Sequence, residues 1–517
     1  MYLTQPLHKA RRERPRDPFT IHEGHRTANA EFVDRVARLA SSLKRLGVEA
    51  GDRVGMLAAN SDAFITYVFA TLWAGGVLNP VNIRWSAAEI VYSLDDSDTR
   101  VLIVDDLFAP MVPELRRLCS AELTIIRAGR AEIAGAHDFE ALITGSEPMP
   151  DAMRGDDDLA AILYTGGTTG APKGVMLSHA NLYTDAIAVN AAADHGGDAP
   201  GLHVSPLFHV GGLAVVFQFA LRRAPQITIP AFDAGRVLSL IEAEGVGDIF
   251  LVPVMLRRLI DHPDMATRDV SSLRYIRYGA APIDVTLLGR AIRAFPEARF
   301  LQVYGQTECA PVVTVLAPQD HVPDPDALQM RSAGRPIATA EIRIVDPDGL
   351  ECPPGVVGEI AVRGPTVMQG YWNKPEETAA ALKNGWMHTG DAGHFDESGY
   401  LHVVDRIKDM IITGGENVFS VEVENALAKH DGVSLCAVIG VPDDEWGERV
   451  HAVVLRVDGR DDVCAEMLAA HCRTLIAGYK VPRTFEFVTQ MPLSPAGKIL
   501  KKDLRALHWA NCDRQVG

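Results

Sequence analysis

The segment "YTGGTTGAPKG", Tyr164 to Gly174, gathers the residue types that hold phosphate. Its four glycines, Gly166, Gly167, Gly170 and Gly174, let the backbone turn N–H groups inward, Thr165, Thr168 and Thr169 add hydroxyls, and Lys173 adds charge. It is not the GxxxxGK[ST] phosphate loop. With Gly167 as the first glycine, Pro172 stands where the second belongs and Gly174 where the Ser or Thr belongs. The continuation "GVMLS" is extended and apolar, and Ser178 is suited to N-cap a helix that begins only after it. The spacing predicts a loop between two strands, with a solvated Gly/Thr hairpin as the alternative to a phosphate site.

Three further stretches could do related chemistry. "YGQTE" sets Thr307 and Glu308 at a strand end, where a carboxylate beside a triphosphate can hold Mg²⁺ through few protein oxygens. "HTGDAG" places Asp391 in a Gly-flanked turn, fit either to take ribose hydroxyls or to close an Asx turn, with Arg406 further on. "PLSPAGKILKKDLR" isolates Lys498 on a Pro/Gly turn ahead of a basic helix. His209, in "SPLFHVGG", reads by composition as a core histidine.

These residues need a scaffold. "RVGMLAAN", "GVLNPVN" and "TRVLIVDD" alternate with helical spacing such as "SDAFITYVFATLWAG", which predicts layered α/β structure with largely parallel sheets. "LAAILYTGGTTG", "LRYIRYGAAP" and "ARFLQVYGQTE" are strands ending in elbows, and ligands of α/β sheets sit beyond strand ends, so the three elbows are expected to line one crevice. Past Gly334 short β runs predict a small antiparallel or β-barrel-like module. A hairpin, a helix and a strand then form a smaller α+β unit, giving domains 1–405 and 406–517.

With 517 residues the chain exceeds a single core. Its net charge of −17 argues against nucleic acid as a partner. Seven cysteines without a CxxC pair read as reduced thiols, the N-terminus lacks an apolar secretory core, and no transmembrane segment is apparent, so a cytoplasmic location is expected.

Taken in this order, the motifs resemble the acyl-activating, AMP-forming superfamily that contains acyl-CoA synthetases, nonribosomal adenylation domains and firefly luciferase. "YTGGTTGAPKG" is similar to its phosphate loop, "YGQTE" to its adenine and magnesium motif, "HTGDAG" to its ribose acid, "DRIKDMIITGGENV" to its hinge and "SPAGK" to its catalytic lysine. The likeness covers nearly the whole chain. It implies that a carboxylate attacks the α-phosphate of MgATP to give acyl-AMP and pyrophosphate, and that a thiol, commonly coenzyme A, then displaces AMP.

The resemblance also implies roles. Thr165 and Glu308 would hold Mg²⁺, while Gly166, Gly167, Thr168, Thr169, Gly170 and Lys173 would cradle the phosphates. Gly279, Ala280, Ala281 and Tyr304 would flank adenine, Gly305 would belong to the same nucleotide site, Thr307 would touch the α-phosphate, and Asp391 with Arg406 would hold ribose. Lys498 would bridge the attacking carboxylate and ATP, Lys408 would be the hinge of a mobile C-terminal domain, and Gly414, Gly415 and Glu416 would reach the coenzyme A channel. His209 becomes a gate and pocket wall, with general-base work as a lesser role. Gly166 departs from the Ser or Thr of many members, and Asn417 from the Arg of acetyl-CoA synthetases.

The acyl pocket is expected to draw on Phe208, His209, Gly211, Gly212, Phe217, Val254, Tyr278, Gly279 and Gly305 to Ala310. Without a cation to pair a second carboxylate, these favour a monocarboxylic acid, either a medium or long fatty acid or an aryl acid. Gly211, Gly212 and Gly279 suggest room for a chain or ring. The expected partners are that acid, ATP and coenzyme A, with a homodimer as the assembly. A separate carrier protein in place of coenzyme A, or luciferase-like oxygenation of the adenylate, are the alternatives.

Overall fold

The computed structural model describes residues 1–165, 172–193, 197–322, 327–414, 416–443, 445–493 and 499–509. Among them the strands form four sheets. An eight-stranded sheet takes the first alternating segment, with the strands Arg53–Leu57, Val77–Pro80 and Val101–Asp105 side by side and parallel as their apolar runs predict. The helix Asp62–Trp73 between the first two is buried on nearly every side, which explains its almost unbroken apolar sequence; Ser61 caps it by accepting the Phe64 N–H.

A nine-stranded sheet carries the strands Asp248–Leu251, Tyr275–Gly279 and Arg299–Tyr304, adjacent and parallel. A buried polar network holds this region together. Arg277 Nε donates to Asp248 Oδ1 at 2.9 Å, Arg277 also donates to Gln218, and Gln218 Nε2 donates to Asp185 Oδ2 at 3.3 Å. Asp185 Oδ1 in turn accepts the Val312 N–H at 2.9 Å. The network therefore fixes the helices His179–Ala192 and Val210–Arg222, the strand Tyr275–Gly279 and the loop after Tyr304 in one frame. An unpaired buried charge would cost several kcal/mol, and these groups avoid it by pairing with one another. Desolvation pushes the Asp185 carboxyl well above its usual range.

The β-rich stretch after Gly334 forms a five-stranded antiparallel sheet that ends with the strands Trp386–Phe395 and Leu401–Arg406. Sheet membership changes at the single helical turn Ile407–Asp409. Beyond it lies a mixed sheet in which Val433–Asp443 and Gly447–Arg456 pair as the hairpin read from the sequence, and Thr484–Val488 runs parallel to the second. The helices Ser420–Leu427, Ala465–Arg473 and Lys501–Trp509 belong to this unit.

Two acids tie the turn to it. Buried Asp405 accepts from the Ser420 N–H and hydroxyl through Oδ2, each at 2.6 Å, and Asp409 pairs with Arg505 on the last helix. No helix among the described residues is long and apolar enough to cross a membrane. The six described cysteines are free thiols.

Candidate active site

The strand Leu159–Thr165 turns back antiparallel into Lys173–Ser178, with Thr165 opposite Lys173 and Tyr164 opposite Gly174. The loop thus links two strands, and the helix begins only at His179, its Ser178 capping box completed by Asn181. A Cβ at Gly174 would come within 3.0 Å of the Tyr164 ring and 2.7 Å of Ile162, so a Ser or Thr there would collide with the paired strand. Thr165 Oγ1 lies 3.5 Å from the Lys173 carbonyl oxygen. Gly166, Gly167, Thr168, Thr169 and Gly170 lie outside the described residues.

The three elbows come from two sheets, since Leu159–Thr165 belongs to the eight-stranded sheet and the other two strands to the nine-stranded one. Two of them, those that lead to Lys173 and to Glu308, are bridged by Tyr371, which no local motif marks. Tyr371 sits on the short strand Gly370–Tyr371, which pairs with Lys173–Ser178. Its ring lies 4.9 Å from Lys173 Nζ, a cation–π distance, and its hydroxyl donates to Glu308 Oε1 at 2.9 Å. Burial and the Glu308 carboxylate both push the Tyr371 phenol upward, so it remains a donor.

A second cluster forms around Asp391. Asp391 and Arg406 are direct cross-strand neighbours, and Arg406 Nε stands 2.6 Å from Asp391 Oδ1. The Tyr304 hydroxyl donates to Asp391 Oδ2 at 2.8 Å. Desolvation and the adjacent Asp391 push the Tyr304 phenol well above its ordinary range. Partial burial opposes the Arg406 charge, but Asp391, Tyr304, Glu308 and Asp409 outweigh it and raise the guanidinium. Thr307 is buried one residue before Glu308, on a single helical turn, and Gln306 Nε2 donates to the Thr389 carbonyl at 3.3 Å.

The strand Tyr275–Gly279 ends sharply. Ala280 takes φ 65°, a left-handed conformation that a non-glycine residue adopts at a cost of about 1 kcal/mol or more, and Ala281 follows it. Gly305 has φ 153°, and a Cβ there would lie 2.0 Å from the Pro311 carbonyl oxygen.

The acyl-side expectations divide. His209 N-caps the helix Val210–Arg222, its Nδ1 accepting the Gly211 N–H at 3.3 Å, and Phe208 beside it is buried. A Cβ at Gly211 would meet only His209 Nδ1 and the Phe250 ring, both at 3.6 Å, so this glycine leaves space. Gly212 and Gly279 do not. Their Cβ positions fall 2.1 Å from the Pro206 carbonyl oxygen and 2.2 Å from that of Val303, so backbone stands where a side chain at either position would go. Tyr278 is fully buried, with its hydroxyl 2.9 Å from His321 Nε2. Phe217, likewise buried, packs edge-on against Phe69.

Gly414, at φ 60°, turns the strands Ile411–Thr413 and Glu416–Val418 into a hairpin, and its missing Cβ admits the Trp446 indole, which would otherwise lie 2.5 Å away. Glu416 is exposed. Gly415 and Lys498 lie outside the described residues, as do the side chains of Lys408 and Asn417.

Residues 7–372 match the AMP-binding enzyme family and residues 422–498 match the AMP-binding enzyme C-terminal domain. A feruloyl-CoA synthase of Amycolatopsis sp is 42% identical over 97% of both chains. The fatty acid–[acyl-carrier-protein] ligase ScoC of Streptomyces coeruleorubidus is 36% identical over 97% of this chain and 95% of its own. The amide bond synthetase McbA from Marinactinospora thermotolerans superposes with a TM-score of 0.88 at 30% identity, over 98% of this chain and 99% of its own. With the family matched over most of its length and the fold shared end to end, the chain belongs to the AMP-binding enzyme family, as an AMP-forming acyl-CoA synthetase.

Proposed function

We propose that this enzyme joins an aryl monocarboxylic acid of the ferulate class to coenzyme A through an acyl-adenylate. The observation that carries the reading of the nucleotide site is the Tyr304–Asp391–Arg406 cluster set beside the Glu308–Tyr371–Lys173 line. Tyr304 and Arg406 hold the Asp391 carboxylate in one orientation, which leaves its remaining lone pairs to accept from the ribose hydroxyls. Adenine lies against Gly279, Ala280, Ala281 and Tyr304.

Glu308, oriented by Tyr371, and the Thr165 hydroxyl are hard oxygen donors of the kind that bind the magnesium of MgATP. Lys173 and the threonines after it neutralise the outgoing pyrophosphate, and Thr307 contacts the α-phosphate. Lys498 bridges the acid and the α-phosphate oxygens, bringing the two reacting groups together at the moment charge develops. The domains 1–405 and 406–517 then rotate about Lys408, withdrawing Lys498 and bringing Gly414, Gly415 and Glu416 to the thiol.

The aryl acid is favoured over a long chain by the feruloyl-CoA synthase relative and by the acyl side itself, where of Gly211, Gly212 and Gly279 only Gly211 would admit a Cβ without meeting backbone. His209 and Phe250 would flank a planar ring there. The ScoC relative supports one second reading, in which the accepting thiol is borne by a carrier protein. The free thiols of the six described cysteines support a reducing, cytoplasmic setting.

The test is a panel of hydroxycinnamic, benzoic and fatty acids with ATP, read as AMP release and thioester formed on coenzyme A or on a purified carrier protein. Preferential turnover of hydroxycinnamic acids with coenzyme A is expected. A preference for fatty acids would overturn the acid assignment, and thioester on the carrier alone would overturn the acceptor.

A further inference from the structure

Outside the adenylating site, three metal-ligating side chains from three elements of the C-terminal unit converge. His451 is on the strand Gly447–Arg456, Glu486 on the neighbouring strand Thr484–Val488, and His508 on the last helix, Lys501–Trp509. The pairing register explains the meeting. His451 lies opposite Thr484 and Val453 opposite Glu486, and alternate residues of a strand share a face, so His451, Thr484 and Glu486 point the same way. The helix lies over that face: Leu504 packs in one cluster with Val453, and His508, one turn on, falls on the same side of the helix.

The polar atoms at this junction are unusually arranged. His451 Nε2 is 3.7 Å from Glu486 Oε2, His508 Nε2 is 3.6 Å from the same oxygen, and the two imidazole rings are 4.7 Å apart. Both Nε2 atoms are buried with no hydrogen-bond partner among the described residues, and His451 is only 6% exposed. The other nitrogen of His451, Nδ1, is engaged by Thr484 Oγ1 at 2.7 Å. When that nitrogen donates its proton to the hydroxyl, Nε2 is left as a lone pair aimed at a second imidazole and a carboxylate. Converging lone pairs repel unless a cation stands between them. A hydrogen bond on the remote nitrogen is also how metal-binding histidines are oriented.

We propose that His451 Nε2, Glu486 and His508 Nε2 form a binding site for a zinc-class divalent cation that clamps the last helix onto the sheet. The three candidate ligand atoms all lie within 4.8 Å of one another, and tetrahedral coordination at about 2.0–2.2 Å requires only that they close toward about 3.4 Å. Two imidazoles and one carboxylate suit zinc, leaving a fourth position for water. They do not suit Mg²⁺, which takes oxygen ligands in octahedral geometry, so this site is separate from the metal that accompanies ATP. The helix it would clamp begins at Lys501, close behind the proposed catalytic Lys498, and is already held by Lys501 to Glu424 at 2.8 Å and by Trp509 Nε1 to the Gly440 carbonyl at 3.0 Å.

The experiment uses the full chain stripped with chelator and titrated with Zn²⁺ alone, and separately with Co²⁺ alone as a spectroscopic probe. One equivalent of Zn²⁺ is expected, unaffected by excess Mg²⁺, together with the intense visible absorption of low-coordinate Co²⁺. The conservative variants Glu486→Gln and His508→Gln should each weaken Zn²⁺ binding by about 100-fold, and hydrogen exchange in the last helix should slow on adding Zn²⁺ to the wild type but not to either variant. Both altered positions are partly exposed, so the variants should fold, and their circular dichroism checks this. Equal Zn²⁺ affinity in wild type and variants, or binding that leaves exchange in the last helix unchanged, would overturn the proposal.

Discussion

Two adjacent glycines on the acyl side provide a decisive contrast, because the added atom is the same methyl group at both and only its surroundings differ. In Gly212→Ala the new Cβ would sit 2.1 Å from the Pro206 carbonyl oxygen and 2.7 Å from its carbonyl carbon. Both are backbone atoms, so no side-chain rotation relieves the overlap and the helix Val210–Arg222 must move away from its own N-terminal loop. Overpacking of this kind costs about 1–3 kcal/mol, which outweighs the gain of up to about 1 kcal/mol from replacing a helical glycine.

In Gly211→Ala the Cβ meets His209 Nδ1 and Phe250 at 3.6 Å, which is ordinary contact. That variant should be as stable as wild type or slightly more so. Its methyl group occupies the space assigned to the ring of the acid, and one methylene in an apolar pocket is worth about 1–3 kcal/mol of discrimination. The assay is urea denaturation of both variants together with kcat/KM for a hydroxycinnamic acid and for a small acid. Gly211→Ala should lose about tenfold or more against the larger acid alone, and Gly212→Ala should lose stability. The reasoning is refuted if Gly212→Ala is no less stable than wild type, or if Gly211→Ala leaves the ratio of the two acids unchanged.

Other consequences are as direct. Tyr371→Phe removes the donor to Glu308 and should lower kcat/KM for ATP in carboxylate-dependent ATP–pyrophosphate exchange by about 10-fold to 100-fold, from the 1.5–3 kcal/mol typical of a hydrogen bond to a charged group; unchanged exchange would show that the hydroxyl does not orient the carboxylate. Lys498→Ala should abolish that exchange while thioester formation from supplied acyl-AMP persists, and equal loss of both steps would remove its assigned role. Lys408→Pro should spare the first half-reaction and stop the second, which separate assays of the two would check. Burial holds His321 down to about 4, below its unfolded value near 6.5. Its contribution is therefore complete above pH about 6.5 and is lost as the pH falls toward 4, so wild type should lose up to about 3 kcal/mol relative to His321→Gln across that window, and a pH-independent difference in unfolding free energy would contradict it.

How far the sequence could be read depended on where each residue finds its partner. The strand-to-strand loop was legible because Pro172 and Gly174 are local signals, and the structure adds that Gly174 accommodates the Tyr164 ring across the ladder. Asp391 and Arg406 were each visible in a motif, but their pairing is a matter of register between two strands. Tyr371 carried no signal, since its carboxylate partner is 63 residues away and its cation lies on a third element. Gly211, Gly212 and Gly279 look alike in the sequence, and only the fold distinguishes the first, whose Cβ would find ordinary contact, from the other two, where backbone stands in the way of one. His451, Glu486 and His508 have no motif spacing, and only the packing of the last helix on two strands brings them together.

If the chain turns about Lys408 as proposed, Asp405 would bear on the speed of the enzyme as well as on its shape. One of its carboxylate oxygens holds both the N–H and the hydroxyl of Ser420, across the point where the chain would swivel, and Asp409 holds Arg505 on the other side. Turning about Lys408 would strip at least the first pair, and hydrogen bonds to a charged group are worth about 1.5–3 kcal/mol each. That release is the same whatever acid has been activated. Where it is the slow step, different acids share one ceiling on kcat, and the enzyme expresses its preference among them only in kcat/KM.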